Sequence, residues 1–199
     1  MKAAVITVSD RASRGEYQDL SGPEIEALLE ELIPGISIER CIVPDEPDAL
    51  LGAFRNFTSS DTDPASEPAS DPKPLTSSDP GTGSENVPAA TKNRSINRSV
   101  ERPVDVIITT GGTGISPRDI TPDITKQYCD KELPGIAEIL RARSYQETSA
   151  AMLSRGYAGL KGNTLIINFP GSVKAVRLCT RVVAPELKHA MSMLRGGGH

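Results

Sequence analysis

Two rhythms of apolar and polar positions divide the chain. Nearly unbroken apolar runs at Ala3–Ser9, Val104–Thr109 and Asn163–Phe169 have the length and β-branched content of strands buried on both faces. Ile36–Val43 alternates with period two and predicts a further strand. Ile25, Leu28, Leu29 and Leu32 instead fall at i, i+3, i+4 and i+7, the single apolar stripe of an amphipathic helix. Ser21-Gly-Pro-Glu24 reads as the capping box of that helix, Ser21 capping and Glu24 reaching back, and Pro34-Gly35 as its stop. A second helix is expected to open at Pro44-Asp45-Glu46-Pro47 and end near Phe57. Helical patterns follow over roughly 124–130 and 135–146, and a long one over 172–194 that Pro185 should interrupt or bend. Strands alternating with helices predict an α/β fold, a mostly parallel sheet covered on both faces in a three-layer α/β/α arrangement.

Neither rhythm continues through residues 56–102. Ser, Thr, Asp and Pro crowd this stretch, which turns basic at Lys92, Arg94, Arg98 and Arg102. It holds almost nothing that could build a core, and it predicts a disordered insertion within a single domain spanning 1–199. The Asn-X-Ser/Thr triplets at Asn56, Asn93 and Asn97 read as accidents of composition, because Met1–Asp10 reaches an aspartate before any signal-peptide apolar region is complete. The same start, and apolar runs too short to cross a bilayer, lead us to expect a cytoplasmic protein with no membrane partner.

Composition narrows the chemistry. Aromatic residues make up 4% of the chain and Trp is absent, so the core must be aliphatic. Cys41, Cys129 and Cys179 are widely spaced and form no C-x-x-C pair, which fits buried thiols better than a disulfide framework or a zinc knuckle. With only His189 and the terminal His199, a histidine metal site or a Ser-His-Asp relay has little to work with. A net charge of −4 disfavours nucleic acid as a partner. A phosphate substrate would need backbone donors, a few cations or a bound divalent ion.

In a doubly wound sheet, ligands bind where strands end and helices begin. Four segments reach such an edge: Thr7–Asp10, Val43–Glu46, Thr109–Gly114 and Asn168–Ser172. Gly111-Gly112-Thr113-Gly114 lets backbone approach a ligand and turn N–H groups inward as an anion nest, although a tight turn without a ligand reads equally well. It lacks the Gly-Lys-Ser/Thr of a Walker loop. Asp45, Asp119 and Asp10 supply carboxylates suited to Mg²⁺, an ion that usually arrives with a nucleotide's phosphates. Asp123 fits a capping role better. Arg118 is placed to meet a phosphate or a neighbouring carboxylate. Ser172, at a helix start, offers a cap or a phosphate donor.

The ordered motifs TVSD (Thr7–Asp10), SGP (Ser21–Pro23), VPDE (Val43–Glu46), TTGGTG (Thr109–Gly114), PRDITPD (Pro117–Asp123), ELPG (Glu132–Gly135), AMLSR (Ala151–Arg155), GNTLIINFPG (Gly162–Gly171) and LKHA (Leu187–Ala190) span nearly the whole chain outside the insertion. In this series the chain resembles the molybdopterin-binding proteins of the MogA/MoaB type, gephyrin-type G domains included. The resemblance implies a homotrimer that transfers AMP from Mg·ATP to the phosphate of molybdopterin and releases pyrophosphate, serving a molybdenum-insertion domain or protein. It implies Asp45 and Asp119 as catalytic and Mg²⁺-binding residues. It also implies Ser9, Asp10, Gly111, Gly112, Thr113, Gly114, Arg118, Glu132, Ser154, Pro170, Gly171 and Ser172 as substrate-pocket residues. Two rivals remain: a pterin carrier or scaffold with idle catalysis, and a competence-damage-type enzyme using another nucleotide substrate on the same fold. The insertion is the one clear departure from the family's usual short link.

Overall fold

The computed structural model describes residues 1–58 and 103–197. The chain runs β1 (Lys2–Val8), α1 (Asp10–Ser13), α2 (Ser21–Leu32), β2 (Ser37–Val43), α3 (Pro47–Thr58), β3 (Val106–Thr110), α4 (Thr121–Tyr128), β4 (Lys131–Glu132), α5 (Pro134–Tyr145), a 3-10 turn at Ser149–Leu153, β5 (Ala158–Lys161), β6 (Thr164–Phe169) and α6 (Val173–Leu194). The six strands form one sheet in the order β2-β1-β3-β6-β5-β4. β2, β1, β3 and β6 are mutually parallel, while β5 pairs antiparallel with both β6 and β4.

Strand alternation builds two cores. Ala3 and Val5 of β1, with Val106 and Ile108 of β3 and Leu165 and Ile167 of β6, meet Ile25 and Leu29 of α2, Leu140 of α5 and Val176, Val183 and Leu187 of α6. Their neighbours Ala4, Ile6, Val8, Ile107 and Ile166 point the other way, onto Leu50, Phe54 and Phe57 of α3 and Ile124 of α4. The expected three layers follow from strands that are apolar on both faces.

Local expectations fail in four places. No side chain caps α2 as a box: Ser21 lies inside the helix and donates from Oγ to the Gly171 carbonyl at 2.7 Å. Glu24 reaches across to Arg177 of α6. Asp19 does the capping, accepting from the Ser21 and Gly22 amides at 3.1 and 3.0 Å. Pro185 does not interrupt α6. Its missing N–H leaves the Arg181 carbonyl without a helical donor, and both residues are exposed, where water can serve. β4 and β5 were too short to register as periodic. The helix α3 extends through the first residues of the expected insertion, with Phe57 buried. Residues 59–102, with Asn93 and Asn97, lie outside the described residues, as does His199.

The chain leaves α3 and re-enters at almost the same point, because the Val104 amide donates to the Phe57 carbonyl at 2.9 Å. Among the described residues, no helix is long and apolar enough to cross a membrane.

Candidate functional site

Four parallel strands end on one edge of the sheet, and their order sets the order of the loops along it. β2 delivers Asp45, β1 delivers Ser9 and Asp10, β3 delivers Gly111–Gly114, and β6 delivers Pro170–Ser172. After β2 the chain crosses β1 to place β3 on its far side. The crevice between the β1 and β3 loops is therefore the topological switch point, where α/β sheets bind ligands.

The β3 loop turns where only glycine fits. Gly111 has φ +101°, and a Cβ there would drive into the Val8 backbone carbonyl. Gly112 has φ +61°, and its Cβ would lie 2.5 Å from Thr121 Oγ1 and 3.3 Å from Asp45 Oδ1. Gly114 presses on Asp119, whose Oδ2 would be 2.9 Å from an added Cβ. The loop's backbone thus occupies the space between the two carboxylates. Among the described residues the N–H groups of Gly112, Thr113, Gly114 and Ile115 have no acceptor, leaving a run of backbone donors.

The acidic side of the loop is tightly tied. Asp10 N–H donates to Asp45 Oδ2 at 2.8 Å, and Asp45 N–H returns a bond to Asp10 Oδ1 at 3.0 Å. Arg118 pairs with the Asp10 carboxylate, one of the two partners expected for it. The Asp45 backbone bond, opposed by desolvation and reinforced by Arg118, holds the Asp10 carboxyl below its usual range. Asp45 is pushed up, first by burial, with the charges of Asp10 and Asp119 adding to the push. Asp119 closes its own turn by accepting from the Ser116 amide at 2.7 Å.

On the other side of the loop lies a cavity of about 370 Å³, lined by Thr113, Gly114, Leu140, Ser144, Ser154, Asn168, Pro170, Ser172 and Cys179 among others. Of the expected pocket residues, Thr113, Gly114, Ser154, Pro170 and Ser172 line it. Asp10, Arg118, Gly111 and Gly112 belong to the acidic side. Gly171 packs against Gly111, its Cβ position 3.3 Å from the Gly111 Cα. Ser9 and Ser172 use their hydroxyls as helix caps, accepting from Ala12 and Ala175 amides. Glu132 lines an adjoining recess of about 260 Å³ with Lys126, Arg141 and Arg155, and Arg141 lines both. Asp123 sits in the first turn of α4, and its carboxylate grips Arg155 from both oxygens at 2.9 Å.

Two side chains that organise this region were not singled out from the sequence. Asn168, buried in β6, donates to Thr109 Oγ1 and Thr125 Oγ1 at 2.9 Å each and accepts from the Tyr157 amide at 3.2 Å. Its only signal was a lone amide in an otherwise apolar strand. Arg155 binds the glycine loop from behind, which no spacing announces. Cys179 is buried and Cys41 and Cys129 half-buried, and burial pushes the Cys41 thiol up to about 12 and the Cys129 and Cys179 thiols up to about 11, favouring the protonated form.

Comparison with known proteins places this arrangement. Residues 86–189 match the family model described as "Probable molybdopterin binding domain". The molybdopterin adenylyltransferase of Helicobacter pylori J99 is 33% identical over 96% of this chain and 86% of its own length. The Drosophila melanogaster molybdenum cofactor synthesis protein cinnamon is also 33% identical, but the match covers 25% of that longer protein. A solved MogA structure superposes with a TM-score of 0.68 at 32% identity, over 98% of this chain and 99% of that one. The chain belongs to the molybdopterin-binding family of molybdenum-cofactor biosynthesis proteins.

Proposed function

We propose that this chain is a molybdopterin adenylyltransferase, transferring AMP from Mg·ATP to the terminal phosphate of molybdopterin with release of pyrophosphate. The observation that carries the reading is the glycine loop itself. Its unpaired N–H run separates an acidic clasp from a cavity of about 370 Å³, within the range of small-molecule sites. The cavity takes the pterin, and the loop receives phosphate between the cavity and the carboxylates. Asp10, Gly111, Gly112 and Arg118 face the nucleotide side; Thr113, Gly114, Ser154, Pro170 and Ser172 face the pterin.

Mg²⁺ fits the donors present. Among the described residues no group of three or more His, Cys, Asp or Glu is placed to hold a metal alone. Mg²⁺ takes one or two carboxylates and completes its shell with water and substrate phosphates. Asp45 and Asp119 would hold it, and Asp45, destabilised as an anion by burial and its acidic neighbours, gains most from a cation. When bound, the ion supplies charge neutralisation at the phosphates.

The chain's own work is then positional. A pterin phosphate oxygen forms a bond to the α-phosphorus of ATP, the bond from that phosphorus to the bridging oxygen breaks, and pyrophosphate leaves with the electron pair. The N–H run of residues 112–115 stabilises charge that spreads over the transferring group. Arg118, exposed, trades its Asp10 partner for a departing phosphate. No covalent enzyme intermediate is required, consistent with thiols held protonated.

A homotrimer in the cytoplasm, feeding a molybdenum-insertion activity on the same or another protein, completes the reading. Its support is the family membership and the exposed Ile115, Met152 and Leu153, large apolar side chains of the kind a neighbouring subunit covers. Light scattering on purified protein tests the trimer. The activity is tested by following pyrophosphate release with molybdopterin, ATP and Mg²⁺ beside an Asp119→Ala control. Release that requires the pterin, the metal and Asp119 supports the reading; pterin binding without release leaves the carrier alternative in its place.

A further inference from the structure

We propose that Arg155 is a positioning residue that holds the glycine loop and Asp119 in their working geometry; the proposal rests on the adenylyl-transfer reading. The Arg155 amide donates to the Thr113 carbonyl at 2.9 Å, and its Nε donates to the Gly114 carbonyl at 2.7 Å. One terminal nitrogen donates to the Asp119 carbonyl. The other donates to both Asp123 oxygens. One residue therefore joins the loop after β3, the 116–119 turn and the first turn of α4.

The effect on the donors follows from peptide geometry. In a planar trans peptide, a carbonyl and the following N–H point in opposite directions. Drawing the Thr113 and Gly114 carbonyls onto Arg155 turns the Gly114 and Ile115 N–H groups to the opposite side, where they have no acceptor in the protein. Two adjacent donors are thereby aimed before any anion arrives. The same guanidinium fixes the backbone of Asp119 while its carboxylate remains available. A lysine keeps the main-chain bond to Thr113 but cannot replace the rest: an ammonium is one point of charge, and the Gly114, Asp119 and Asp123 acceptors need a planar fork. Asp123, which sequence reading confined to capping, orients that fork from the helix.

The test compares wild type, Arg155→Lys, Asp123→Asn and the double variant, each at its measured thermal midpoint and in steady-state pyrophosphate release. Arg155→Lys should lower kcat about 100-fold, the scale of losing preorganised donors, with KM for both substrates within about threefold of wild type. Asp123→Asn should cost about tenfold, and the double variant should be no worse than Arg155→Lys alone, because both act through one guanidinium. A wild-type kcat in Arg155→Lys, multiplicative losses in the double variant, or a loss matched by its unfolded fraction overturns the proposal. Amide hydrogen exchange gives an activity-free reading. The Ser116, Asp119 and Thr121 amides, all bonded in the native turn, should exchange about tenfold faster in Arg155→Lys while core strands are unchanged. Unchanged exchange overturns the proposal even if wild type proves inactive, an outcome that would remove the adenylyl-transfer reading by itself.

Discussion

Asp10 and Asp45, thirty-five residues apart, each bind the other's backbone N–H through a carboxylate oxygen, at 2.8 and 3.0 Å. This reciprocal pair locks the loop after β1 to the loop after β2, and it places two negative charges beside the glycine loop. Their environments divide them. Asp10, helped by Arg118, stays easily ionised, whereas Asp45 is held up by burial and by the charge of its partners.

That division has a pH signature. Asp45 must be ionised to take up a cation, so kcat/KM should fall on acidification at a pH above the ordinary aspartate value of about 3.9. Asp10→Asn keeps an oxygen for the Asp45 amide and removes one of the charges that raise Asp45. The acid limb of the kcat/KM profile, which reports the free enzyme, should therefore move to lower pH. A limb that moves up, or stays, would mean that another group sets it.

Asp45 also links activity to stability. A carboxyl whose folded pKa is raised binds its proton more tightly when folded, so it favours the folded state below its unfolded pKa and costs stability once pH exceeds the folded value. At neutral pH Asp45→Asn should therefore raise Tm while abolishing turnover. Thermal melts at neutral and acidic pH check the sign: the gain should shrink as wild-type Asp45 becomes protonated.

The glycines of the loop should fail differently. Gly111→Ala meets an immovable backbone carbonyl at a φ of +101°, and should lose about 3 kcal/mol or more in denaturant unfolding. Gly114→Ala meets only the Asp119 side chain, which can rotate away. It should fold nearly as well as wild type and lose turnover, because the carboxylate that rotates is the one required. Equal stability losses would show that the loop, not Asp119, yields at Gly114.

Asn168 stitches β6 to β3 and α4 through two threonine hydroxyls. Asn168→Leu strands the Thr109 hydroxyl and the Tyr157 amide, while the Thr125 hydroxyl still donates to the Thr121 carbonyl, and should cost about 1–3 kcal/mol, read from the shift of the urea midpoint. A neutral result would show that those two groups find other partners.

The bond between Val104 and Phe57 ties the two ends of the 59–102 segment. Replacing residues 59–102 with a short Gly/Ser link should leave pyrophosphate release unchanged and keep or modestly raise Tm, since each halving of loop length lowers the closure cost by only about 0.6 kcal/mol. Loss of turnover with an intact fold would assign the segment a part in the reaction.

The strands and helices were legible because burial imposes period on sequence. β1, β3 and β6 are apolar on both faces, and α2 carries one clean stripe. Ser21 misled because its helix start is buried: there its hydroxyl found the Gly171 carbonyl, and Asp19, just upstream, took the cap. β4 and β5 left no trace because a strand of two or four residues has too few positions to show a period.

The sequence by itself determined the layer architecture, the four loops that reach one edge of the sheet, and the identity of the acidic residues and glycines there. Those features are local: each depends on residues within a few positions of one another. Only the tertiary structure decided that Asp10 and Asp45 clasp each other, that Glu132 lies in an adjoining recess, that Arg155 bonds the glycine loop, and that Asn168 ties β6 to β3 and α4. Each of those facts joins distant strands or loops, and strand order, which sets such neighbours, comes from packing two apolar faces at once rather than from any local pattern.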